Sequence, residues 1–117
     1  MSICYTAILC YGYKLTPEEV AMIGIERLYD LKAEFEMEPH PFGLICDDEY
    51  TNNATWYVGR WFEESSSDYY VDDFNGVEEK SFASVNLIMD KIFGKEFYSE
   101  TREETNTPTW HIFTRCW

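Results

Sequence analysis

The first apolar segment, ICYTAILCYGY at residues 3–13, alternates at period two. Ile3, Tyr5, Ala7, Leu9 and Tyr11 fall on one side and Cys4, Ile8 and Cys10 on the other, which predicts a central strand buried on both faces. The next segment, LTPEEV, carries the signature of a helix start: Thr16 to cap, Pro17 at the first helical position, and Glu19 to complete a capping box. Val20, Ile23, Leu28, Leu31 and Phe35 then recur near one stripe. They predict a helix through about Asp30, with Gly24 a weak point inside it and Pro39 a stop beyond. Residues 31–38, LKAEFEME, also alternate apolar with charged side chains as a half-buried strand does, so periodicity leaves them open between helix and strand.

After the extended connector EPHP, the segments FGLICDDEY and ATWYVGRWF read as two strands of a hairpin, turning near Thr51, Asn52 and Asn53. In SFASVNLIMDKIFG, Phe82, Val85, Ile88, Met89 and Ile92 recur at helical spacing, with Ser81 placed to cap the start and Gly94 the end. KEFYSETREETNT reads as a loop. TWHIFTRCW alternates Trp110, Ile112, Thr114 and Cys116 against His111, Phe113, Arg115 and Trp117, a final strand. The order β-α-β-β-α-β suits a single small α+β domain with a mainly antiparallel four-stranded sheet, both helices on one face, in a ferredoxin-like arrangement. The second face would then carry some of the aromatics. Left exposed, it would suggest a homodimer or a docking surface.

A length of 117 residues sets one domain, and 45% apolar with 18% aromatic residues argues for a folded core in spite of the charge. No apolar run approaches the ~18 residues that span a bilayer, and residues 1–15 lack the basic start and cleavage site of a signal peptide, so a cytoplasmic protein is expected. Cys4, Cys10, Cys46 and Cys116 show no C-x-x-C spacing and all lie in predicted strands. They read as reduced, mostly buried thiols.

Charge changes this picture most. Twenty-two acids against nine bases give −13. Residues 1–62 hold 10 acids and 4 bases (−6) and residues 63–117 hold 12 and 5 (−7), so the acidity runs through the whole domain. Such a field repels nucleic acids and anionic membranes and attracts basic surfaces, which belong largely to nucleic-acid-binding proteins. Two patterns stand out. As a helix, residues 25–38 would align Glu26, Asp30, Glu34 and Glu38 about 6 Å apart. As a strand, residues 31–38 would set Glu34, Glu36 and Glu38 on one face about 6.7 Å apart, close to two nucleotide steps of ~3.4 Å. The second pattern is EESSSDYYVDDFNGVEEK at 63–80. There the acids Glu63, Glu64, Asp68, Asp72, Asp73, Glu78 and Glu79 surround Tyr69, Tyr70 and Phe74, an acidic contact loop with aromatic anchors.

Other chemistry finds little footing. DDFNG at 72–76 fails as a calcium loop, because Phe74 stands where a ligand is needed and no glutamate closes the loop. His40 and His111 lie in no nucleophile motif, no Gly-rich phosphate loop occurs, and no metal or cofactor is implied. The expected function is therefore an acidic binding protein, not an enzyme, that occupies the basic surface of a nucleic-acid-binding enzyme. In composition it resembles small acidic proteins that phages and mobile elements direct against host defence or repair. The alternatives are an interaction subunit, homodimeric or part of an assembly, without such mimicry, and, behind it, a small enzyme using Cys, His or a carboxylate pair.

Overall fold

The computed structural model describes residues 5–35, 42–48, 54–64, 71–93 and 108–116. Its elements are β1 (Tyr5–Lys14), α1 (Pro17–Ile23), α2 (Ile25–Phe35), β2 (Phe42–Cys46), β3 (Trp56–Glu63), α3 (Phe74–Phe93) and β4 (Thr109–Cys116). The strands form one antiparallel sheet in the order β2-β3-β1-β4. Each helical crossover skips one strand, and the skipped place is filled by a strand of the other half, which is the split β-α-β order expected from the sequence. β1 is central, as its two apolar faces require.

The helices take one face of that sheet. Tyr11 and Tyr13 of β1, Leu44 and Cys46 of β2, and Trp56 and Val58 of β3 pack there against Leu28, Leu31 and Phe35 of α2 and Val85, Ile88 and Met89 of α3. The start of α1 follows its capping box: Glu19 N donates to Thr16 Oγ1 at 3.2 Å, and Thr16 N donates to Glu19 Oε1 at 2.9 Å. The single helix expected from residue 17 is in fact two. Gly24, at φ 89°, ψ 143°, leaves helical geometry and lets α2 start on a new axis. Residues 31–35 are helical, because Leu28, Leu31 and Phe35 are buried at spacings of three and four while Ala33 and Glu34 are exposed. A strand would have put Ala33 on the same face as Leu31 and Phe35.

Two further expectations are corrected. α3 begins seven residues before the expected Ser81 cap: Asp73 is the cap, with Oδ1 accepting from Gly76 N at 2.9 Å and its carbonyl from Val77 N at 3.1 Å. Phe74, Glu78 and Glu79 therefore lie on a helix and not in a loop. The buried stripe of α3 uses Ser81, while Phe82 points out and is 46% exposed.

The second face, which would have suggested a dimer or a docking surface had its aromatics been exposed, buries Tyr57 and Trp61 instead. Ile8, Cys10, Ile45, Tyr57 and Trp61 form a second buried cluster on the side away from the described helices, with Phe113 packed against it. Three glycines line up across the sheet. Gly12 pairs with Gly59 and Gly59 with Gly43, a row across three strands. A methyl group on Gly12 would overlap the Val58 carbonyl oxygen and come 2.7 Å from Gly59 Cα; one on Gly59 would overlap the Tyr11 carbonyl oxygen. Gly43, at φ 129°, lies directly under Phe35 of α2.

Tyr57 is registered with Lys14 and Phe113 with Ile8, six positions away along β1, about 20 Å on a flat strand. Their rings nevertheless stack at 4.1 Å and 2°. The rings of β3 and β4 thus meet over β1, on the face where Gly12 carries no side chain. Gly59→Ala is expected to lower stability by about 1–3 kcal/mol in urea unfolding, as overpacking does. An unchanged midpoint would show that the two backbones are not in contact.

Candidate functional site

The acids sort into those that hold the fold together and those that face solvent. Besides Glu19 and Asp73, Asp47 accepts from Thr55 N at 2.9 Å beside the backbone bond that continues the β2–β3 pairing. Glu64, exposed after β3, accepts from Ala7 N at 3.1 Å, and Glu63 is half-buried at the end of β3. Glu78 accepts from the Trp110 indole at 2.8 Å, joining α3 to β4. Glu64, Asp73 and Glu78, which sequence alone assigns to a partner, thus have local structural roles.

Glu26, Asp30 and Glu34 differ. All three are exposed and occupy successive turns of the outer face of α2, whose inner face is pinned by Leu28, Leu31 and Phe35. The expected ridge is thus present as a helical stripe with steps of about 6 Å. Glu38, which would extend it on a longer helix, lies outside the described residues, as do Glu36, Asp68, Tyr69 and Tyr70. Beside its first turn, Ile23, Gly24, Ile25, Glu26, Arg27 and Asp30 line a shallow open depression of about 450 Å³ at the α1–α2 break.

Asp72 and Glu79 are exposed near the start of α3, and Phe74 is 45% exposed. Phe74 meets Trp110 edge-on at 4.8 Å, and Trp110 also packs on Tyr11 at 5.3 Å. The structure therefore brings Phe74 and Glu78 together on Trp110. Sequence reasoning placed Trp110 and Ile112 on one face of a strand without assigning them a role. The missing information was that β4 would lie at the edge of the sheet.

One other cluster carries titratable groups. On the second face Cys10 is registered with His111, whose ring lies 5.5 Å from that of Tyr57. Burial pushes the Cys10 thiol far above its ordinary value, so it remains neutral and weakly nucleophilic. His111 Nε2 lies 3.2 Å from the Gly12 carbonyl and 3.1 Å from Thr109 Oγ1. A carbonyl only accepts, so this nitrogen carries the proton. The imidazole is held below its usual range chiefly by burial, with Lys14 adding to the shift and the Gly12 bond opposing it.

Among the described residues, no group of three or more His, Cys, Asp or Glu side chains is placed to hold a metal ion, and no helix is long and apolar enough to cross a membrane. No protein-family model, curated protein or solved structure matches the chain.

The lowered His111 value fixes the sign of a pH effect. The unfolded chain takes up this proton near pH 6.5, whereas the folded protein does so only at lower pH. His111 therefore leaves stability unchanged well above pH 6.5 and reduces it as pH falls from there through its folded value. Urea unfolding is expected to show a loss between pH 7.5 and 5.5 that shrinks in His111→Gln. An equal loss in both proteins would assign it to other groups.

Proposed function

We propose that this protein acts by occupancy, as a small acidic binding protein whose carboxylates take the place of backbone phosphates in the basic groove of a nucleic-acid-binding enzyme. The observation that supports this most is the α2 ridge. Glu26, Asp30 and Glu34 are exposed, regularly spaced and mounted on a helix fixed by its buried side, so their geometry is preorganised for a partner.

The ridge also works against the fold. Neighbouring carboxylates about 6 Å apart repel by several tenths of a kcal/mol even in water. Glu26 gains from the positive end of α2, but Glu34 sits in the last turn, where the helix dipole disfavours an anion. A solubilising surface has no need of charge at that position. The net charge of −13 supplies long-range attraction to a basic groove and repels nucleic acid itself.

The proposal carries with it a cytoplasmic site of action, where such enzymes work, and an origin among phage or mobile-element genes directed against host defence or repair. A second reading, an interaction subunit that pairs with its own copy, draws on the exposed Ile112. Self-repulsion between two such acidic copies opposes it.

The immobilised protein is expected to retain nucleic-acid-binding enzymes from extracts of the cells that make it. Duplex DNA should release them, as should raising salt from about 50 to 200 mM. A Glu26→Gln, Asp30→Asn, Glu34→Gln variant should retain less. Retention that ignores competing DNA, or the lack of any nucleic-acid-binding enzyme among the retained proteins, overturns the proposal.

A further inference from the structure

The sheet has two edges, and they are unlike. β2 is five residues long, with Leu44, Ile45 and Cys46 buried. β4 is eight residues long, exposes Thr109, Ile112 and Thr114, and has no described strand on the side away from β1. Natural edges are commonly guarded by lysine, proline or a bulge. Residues 109–116 contain no lysine, proline or glycine, and Arg115 is their one residue of fixed charge.

The surface beside this edge is apolar with an acidic rim. α3 packs mainly over β3 and β1, which leaves the helix side of β4 beyond Trp110 without a described helix across it, and Ile112 is 71% exposed. Phe74, Glu78 and Phe82 follow one another at four-residue spacing on α3, and the Glu78–Trp110 bond turns that side of the helix toward β4. Asp72, Asp73, Glu78 and Glu79 stand around the Phe74 end.

We propose that β4 is the docking edge for the partner, and that it takes up an extended segment alternating lysine or arginine with apolar residues as a fifth strand. This rests on the reading of the protein as a binder of basic surfaces and adds where that binding is anchored. Backbone hydrogen bonds to β4 supply register, Ile112 and Phe74 meet the apolar side chains, and the carboxylate rim meets the basic ones. Charge selects the occupant. A cationic strand is drawn to a surface of this sign, whereas a second copy brings another −13 and an acidic peptide is repelled.

The test uses the full chain and three short capped peptides: one alternating Lys and Val, the same peptide N-methylated at alternate residues, and one alternating Glu and Val. The Lys–Val peptide is expected to bind and to slow amide exchange at the β4 N–H groups that do not pair with β1. N-methylation, which keeps the charge but removes edge hydrogen bonds, should weaken binding by about tenfold or more, as should Ile112→Lys. Because Ile112 is exposed, the variant should keep its urea midpoint, and an unchanged midpoint shows that it folds.

Equal binding of the N-methylated peptide overturns strand addition while leaving the acidic-binder reading intact. So do perturbations confined to α2, or binding of the Glu–Val peptide as tight as that of the Lys–Val peptide. Self-association abolished by Ile112→Lys makes a second copy the occupant and likewise overturns it. If neither cationic peptide binds at low salt, both this inference and the reading beneath it fail.

Discussion

Gly12 and Gly59 face each other across β1 and β3 with no room for a methyl group between their backbones. The Tyr57 ring of β3 stacks on Phe113 of β4 over the same stretch of β1. The described helices pack on the other face of the sheet. Their outer surfaces are then left to solvent, and much of the exposed charge is found there.

Within that frame the carboxylates have two kinds of work. Glu19 and Asp73 start helices, Asp47 extends the β2–β3 pairing, Glu64 binds the backbone of β1 and Glu78 ties α3 to β4. Each satisfies a donor, and some of the acidity is therefore structural. Glu26, Asp30 and Glu34 are different in kind, since they stand exposed at a regular interval, one of them at the helix end that disfavours it. The functional reading rests on this distinction more than on the total charge.

Local rules made much of this legible. The alternation in residues 3–13 marked β1, the Thr16–Glu19 capping box appears as written, and the helical spacing of the acids in α2 is real. What escaped were effects that local rules do not contain. Ser81 looks like a cap, but it lies in the buried stripe of a longer helix whose true cap, Asp73, is hidden among other acids. The alignment of Gly12, Gly59 and Gly43 depends on pairings between distant segments. The edge position of β4, which gives Ile112 its exposure, is likewise a property of strand order.

The account's central claim is that the α2 ridge is held at a cost to stability. The most direct measurement is the urea midpoint of Glu34→Gln, alone and together with Asp30→Asn, against that of the parent protein at low salt. The account predicts that each substitution raises the midpoint, by several tenths of a kcal/mol per removed repulsion, with the gain fading as salt is added. A midpoint that falls on neutralising Glu34 and Asp30 would show that these carboxylates support the fold, and would contradict the claim.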